Sequence, residues 1–181
     1  MMLRSRAAAA AAAAVVTYAA AAAAVTVCQS ARTEEKEMKQ SVTYLHLLRH
    51  TPFFTALDRE QLKYVIAHST EWEARPGQVI STGAEAGDYM WVLLDGGWQV
   101  EQAGRISPSG HDDPGKWYGG VPSAMPPAES RLVANQRSYV MRIARRDLEQ
   151  MLSRGFDIGR HLQQGAGFYA GLNALTTRPT N

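Results

Sequence analysis

The chain has 181 residues, 45% of them apolar and 20% charged, and a formal net charge of +2, enough for one domain with extra segments at its ends. The excess charge is Arg4 and Arg6; from Arg32 onward 17 basic side chains (19 less those two) meet 17 acidic ones. So neutral a body lacks the field that draws phosphates to a nucleic-acid binder, and the single cysteine, Cys28, excludes an intramolecular disulfide.

The first segment is compositionally separate. A short basic start leads into Ala7–Val27, an uncharged stretch made mostly of alanine, with Val15, Val16, Tyr18, Val25 and Val27. This matches the basic and apolar regions of a secretory signal. Its length also reaches the roughly 20 residues that span a bilayer. Three readings are open: a cleaved signal, an uncleaved membrane anchor, and a lipoprotein signal acylated at Cys28. Each places the remainder outside the cytoplasm or tethers it to a membrane. Residues 1–31 are therefore expected to form a signal or anchor, and 32–43 a charged, helix-permissive linker.

An apolar cluster, Tyr44, Leu45, Leu47 and Leu48, precedes Thr51-Pro52, where the residue before proline disfavours helix. Phe53 and Phe54 follow as core anchors. Asp58 then suits a helix N-cap with Gln61 at N3, and Leu57 and Leu62 suit the flanking staple. This helix should end near His68 to Thr70. Pro76-Gly77 marks a turn and Val79-Ile80 a short strand. Tyr89–Leu94 is a continuous apolar run, as in a strand buried on both faces. Asp95-Gly96-Gly97 reads as a hairpin turn, and Trp98 and Val100 alternate with polar residues as a half-buried strand does. Residues 104–115 read as a loop, and 117–127 show little regular pattern. Leu132–Ala134 and Tyr139–Ile143 are expected as the last strands. Arg146–Leu152 is a helix with Leu148, Met151 and Leu152 on one face. Phe156–Leu175 is helix-like but carries Gly159, Gly165, Gly167 and Gly171, each costing about 1 kcal/mol relative to alanine, so a broken helix is expected. Seven or eight short strands with glycine turns, flanked by helices, indicate a roll, barrel or sandwich.

Several residues keep the order and spacing of a known family. They are Leu47-Leu48, Pro52-Phe53-Phe54, Leu57, Leu62, Gly77-Gln78-Val79-Ile80, Gly87-Asp88, Met90–Leu94, Asp95-Gly96 and Val100. In these the chain resembles the cyclic nucleotide-binding domain, the effector module of catabolite-activator-type regulators, cyclic-nucleotide-dependent kinases and gated channels. The resemblance covers roughly residues 47–152, with Gly83 one place early. It implies a mainly β fold, a jelly-roll-like double-stranded β-roll with helices at both ends, over residues 44–154. Residues 155–181 would form a helical tail.

The resemblance also implies where a ligand would sit. The family's phosphate-binding cassette has a Phe-Gly-Glu motif and then Pro-Arg-x-Ala-Thr/Ser, the glutamate holding a ribose hydroxyl and the arginine the cyclic phosphate. Here Tyr118-Gly119-Gly120 matches the first with glycine for glutamate. Pro127-Ala128-Glu129-Ser130-Arg131 matches the second with alanine for arginine and an acid beside it. The candidate ligand-binding positions are thus Tyr118, Gly119, Gly120, Ala128, Ser130 and Arg131. Arg131 is the nearby cation that could substitute, three residues late; the alternative is a solvent-facing strand residue, since a shift of three reverses a strand's face.

No catalytic motif is present, so no catalytic residue is expected. The histidines lack ligand spacing, so no metal is expected either. His111-Asp112-Asp113 reads as a solvated loop, and Trp91, Trp98 and Trp117 as core rather than stacking platforms. No cofactor is expected: a cyclic nucleotide is the ligand the resemblance implies, and the missing glutamate and arginine argue against it. Gly167-x-x-x-Gly171 would allow close helix approach, making the C-terminal helix a candidate homodimer contact. The expected function is a non-catalytic sensory or interaction module with lost or altered ligand specificity, acting on a protein partner. The alternative is a cytoplasmic cyclic (di)nucleotide sensor.

Overall fold

A computed structural model describes residues 48–176. The proposed signal or anchor, the linker and the Tyr44–Leu47 cluster lie outside the described residues. Residues 48–50 are helical and lead into a 3-10 turn, Pro52–Phe54, that buries Phe53 and Phe54. Helix α1 (Arg59–Ala67) follows. Its capping box forms as the sequence implies: Gln61 N donates to the Asp58 carboxylate at 2.8 Å and Asp58 N donates to Gln61 Oε1 at 3.1 Å. Leu57 and Leu62 are both buried beside it.

Eight strands then form two four-stranded antiparallel sheets. They are β1 (Ser69–Ala74), β2 (Val79–Thr82), β3 (Tyr89–Asp95), β4 (Gly97–Gln102), β5 (Arg105–Gly110), β6 (Trp117–Gly119), β7 (Arg131–Ala134) and β8 (Ser138–Ala144). One sheet has the order β1-β8-β3-β6, the other β2-β7-β4-β5. Apart from the β4–β5 hairpin, consecutive strands alternate between sheets, so the chain winds as a roll.

In the first sheet Trp72, Val140 and Leu93 are register partners in one row, and Glu71, Met141 and Val92 in the adjacent row. Side chains of adjacent rows point to opposite faces. The Val92 row continues to Trp117, which meets the C-terminal helix; the Trp91–Tyr118 row faces the second sheet through Ser130. Both faces of β3 are therefore covered, which accounts for its unbroken apolar run.

The roll is closed by α2 (Arg145–Ser153) and α3 (Gly159–Thr176). The structure departs from the sequence reading in five places. Asp95-Gly96-Gly97 is a corner between sheets, not a hairpin turn: β3 and β4 do not pair. A Cβ on Gly96, whose φ is +86°, would stand 2.5 Å from Arg137 O, so the corner needs glycine for conformation and for space. Residues 105–110 are strand β5, paired with β4, not loop. β5 is an edge strand, where the missing N–H of Pro108 is tolerated. β1 gave no separate signal because Glu71 and Glu73 break up its apolar residues. Leu152 is exposed rather than packed beside Leu148 and Met151. Finally, α3 is one continuous helix, its glycines offset by the packing described below.

Removing the α1 cap by Asp58→Ala is expected to cost about 1 kcal/mol, read as a lower urea midpoint with an unchanged denaturant slope.

Candidate functional site: the Tyr118–Arg131 segment

The segment opens on two glycines that only glycine can supply. Gly119 and Gly120 have φ of +75° and +73°, and a Cβ on them would stand 2.7 Å from Tyr89 O and from Met90 Cβ. Gly120 N donates to Ala86 O at 2.7 Å. The chain then makes a 3-10 turn, Pro122–Ala124, where proline supplies the starting φ.

The return is pinned by Ser130. Its N–H and its hydroxyl both donate to Pro127 O, at 3.0 and 2.6 Å. Its carbonyl accepts from Gly83 N at 2.8 Å. Gly83 is crowded here: a Cβ would fall 1.8 Å from Pro127 O. With the Ser130 proton committed, the Tyr118 hydroxyl donates to Ser130 Oγ at 2.8 Å. Both side chains are fully buried. Burial, only partly offset by this hydrogen bond, pushes the Tyr118 phenol up to about 12, so it stays neutral.

The six sequence candidates therefore divide. Tyr118, Gly119, Gly120 and Ser130 are buried at one place in the roll, while Ala128 lies exposed on the loop with Glu129. Arg131 is also exposed. It lies opposite Glu101 in the β4–β7 register and bonds it through Nη2 at 2.5 Å, on the outer side of the second sheet. Glu129 and Arg131 are the only charged residues of the segment, and neither reaches Tyr118 or Ser130. The hydroxyl chain Tyr118–Ser130–Pro127 thus occupies the interior without a positive group.

Sequence reasoning read Trp117 as core, as it is, but missed the helix residues that cover this place. Trp117, fully buried, donates from Nε1 to His161 O on α3 at 2.8 Å. Tyr169 returns a hydrogen bond from its hydroxyl to Trp117 O at 2.5 Å, and its ring stands edge-on to Trp117 and Tyr118. Burial raises the Tyr169 phenol well above its ordinary value. Gly165 lets the helix approach: a Cβ there would lie 2.1 Å from Trp117 Nε1. One turn past Tyr169, Asn173 donates to Met125 O at 3.3 Å and accepts from Gln102 at 3.2 Å. The aromatic spacing and the glycine at 165 were visible in the sequence, but read only as a weak helix. Gly167 and Gly171 sit on the exposed side of α3, with nothing within 4 Å of a Cβ.

No family model and no curated protein matches this chain. Solved structures do. PKAR CBD2 bound to Sp-2Cl-cAMPS has a TM-score of 0.57 at 20% identity, over 76% of this chain and 92% of that one. A cAMP-bound PfPKA-R gives 0.59 at 19%, over 76% and 48%. The regulatory subunit of a cAMP-independent protein kinase A from Trypanosoma cruzi, bound to guanosine, gives 0.52 at 19%, over 76% and 51%. The chain thus spans about half the length of the last two.

This roll has the cyclic nucleotide-binding domain fold. Its likeness to these structures is one of architecture.

Two glycines of α3 should respond oppositely. Gly165→Ala forces Trp117 or the helix to move and is expected to cost about 1–3 kcal/mol, with a red shift of tryptophan emission. Gly171→Ala, in open space, should stabilise by up to about 1 kcal/mol. Thermal unfolding of the two variants reads the difference.

Proposed function

We propose that this chain is a non-catalytic cyclic nucleotide-binding-like interaction module whose cassette does not hold a cyclic phosphate. The observation that carries this reading is the hydroxyl chain of Tyr118 and Ser130, closed on Pro127 O, with Glu85 the charge that acts on it among the described residues. A buried phosphodiester would lose its hydration there without a counter-charge, and the cost of burying an unpaired charge is several kcal/mol. Single substitutions would not restore the family's two ligand groups. A side chain at Gly120 meets Met90, and one at Ala128 starts from the exposed loop.

The chain would act through a protein partner. The neighbours whose names identify them as kinase regulatory subunits support that choice, as does the lack of a catalytic motif in this sequence. The exposed side of α3 around Gly167 and Gly171 is where a partner or a second copy would meet the module. Residues 1–31 would export the module or tether it to a membrane, away from cytoplasmic cyclic nucleotides. Fractionation with N-terminal sequencing should find mature protein starting near Arg32 or the chain in the membrane; intact Met1 in soluble cytoplasm would reject this placement. Among the described residues no helix is long and apolar enough to cross a membrane, so a tether would rest on residues 7–27.

A second reading, a ligand without charge, is favoured by the guanosine-bound neighbour. A neutral nucleoside would need no cation, but it would have to displace the Tyr118–Ser130 bond. The remaining alternative, a cytoplasmic cyclic (di)nucleotide sensor, needs a cation that this segment does not present inward.

Calorimetry and thermal unfolding with cyclic AMP, cyclic GMP, cyclic di-GMP and guanosine separate these readings. A ligand at a hundredfold its Kd stabilises by about 2.7 kcal/mol, an unmistakable rise in the midpoint. No rise is expected with any cyclic nucleotide. Micromolar binding of one would overturn the proposal, and a rise with guanosine alone would install the second reading.

A further inference from the structure

His161 stands in the first turn of α3, 5% exposed, with its ring stacked on Phe53 at 5.5 Å and an interplanar angle of 30°. Its Nδ1 is fully buried and has no hydrogen-bond partner among the described residues. Buried polar atoms are nearly always paired, so this one marks a constraint. An imidazole with an orphan buried nitrogen tolerates the neutral state far better than the charged one, because an imidazolium would need two acceptors. The surroundings sharpen this. Lys116, only 4% exposed, lies next to Trp117, whose indole bonds the His161 carbonyl. Arg160 is the preceding residue. The Pro52–Phe54 turn that packs on the ring has no charged residue. Asp157 is the acid that acts on the ring in the opposite sense. Burial, then Lys116, then Arg160 hold the imidazole below its ordinary pKa, and Asp157 offsets them only in part.

We propose that the packing of His161 on Phe53 is an acid-sensitive latch: neutral, it holds the first turn of α3 on Trp117, and protonated, it releases that turn. The same turn carries the acceptor of the Trp117 indole, so its release uncovers Trp117 and loosens the cover over Tyr118. Acidification thereby exposes an aromatic surface at the end of the roll. The latch is independent of whether the segment below it binds a ligand.

The sign follows from linkage. The unfolded or released histidine takes up a proton near its ordinary value of about 6.5, and the latched one does so only at lower pH. The latch is therefore at full strength above about pH 6.5 and weakens as pH falls through the ordinary histidine range. Hydrogen exchange corrected for the intrinsic rate should show residues 159–165 losing about tenfold protection between about pH 7.5 and about pH 5, while β3 and β8 keep theirs. In His161→Phe, which retains an aromatic ring on Phe53 and cannot titrate, that loss should vanish. Should the variant not fold, the wild-type chain still decides: its His161 resonance must titrate below about 6.5. Titration at or above that value, pH-independent protection of residues 159–165, or the same loss in His161→Phe would overturn the proposal.

Discussion

The arrangement depends on one buried indole. Trp117 is the first residue of β6, an edge strand of its sheet, and an edge strand leaves polar groups and apolar surface to be covered. Here α3 covers them. The indole N–H is satisfied by the His161 carbonyl, the Trp117 carbonyl is satisfied by Tyr169, and Gly165 removes the side chain that would keep the helix away. Three features of α3 thus converge on one residue. The next residue along the strand, Tyr118, is then sealed from that side while its hydroxyl is anchored from the other by Ser130. Covering the edge and closing the interior are consequences of the same contact.

This contact explains why a helix with four glycines remains whole. Each interior glycine costs helix stability, and the outward-facing Gly167 and Gly171 gain nothing in return. Gly165 is different: it permits van der Waals contact between the helix backbone and a tryptophan, and burial of an aromatic surface of that size is worth several kcal/mol. Tertiary packing sets the helix, and propensity is only a correction to it.

What could be read from the sequence follows the range of the interactions. The α1 capping box, the turn at Pro76-Gly77, the buried run of β3 and the order of the later strands are local patterns, and they stand in the structure as read. The fold class followed from these together with the resemblance. The corner at Gly96 was misread because pairing partners are distant: Asp95-Gly96-Gly97 has hairpin composition, yet the strands it joins belong to different sheets. Strand β5, which pairs with its neighbour β4, was missed because residues 104–115 are polar and rich in turn residues and carry no strand pattern. At the cassette, the absence of arginine and glutamate was legible from residue identity alone. The hydroxyl chain was not, because nothing local in the sequence brings Ser130 to Tyr118 across the gap between two sheets. Nor was the outward direction of Arg131, which depends on its register with Glu101.

In the proposed reading, the fold and the phosphate-holding chemistry of the Tyr118–Arg131 segment rest on different residues. The roll needs glycine at 83, 96, 119 and 120 because neighbouring backbone or side-chain atoms stand where a Cβ would be. It needs apolar residues on both faces of β3 and β8. It does not need a cation at position 128, which is exposed, nor an acid at position 120, where glycine fits the positive φ. A chain can therefore lose the groups that hold a phosphate while keeping every contact that holds the roll. Here the interior is satisfied by its own hydroxyls, and the helix that covers it is held by tryptophan, tyrosine and a buried neutral histidine. Among these, the histidine alone can change charge near neutral pH, which makes the cover, rather than the cassette, the part of this fold able to respond to its surroundings.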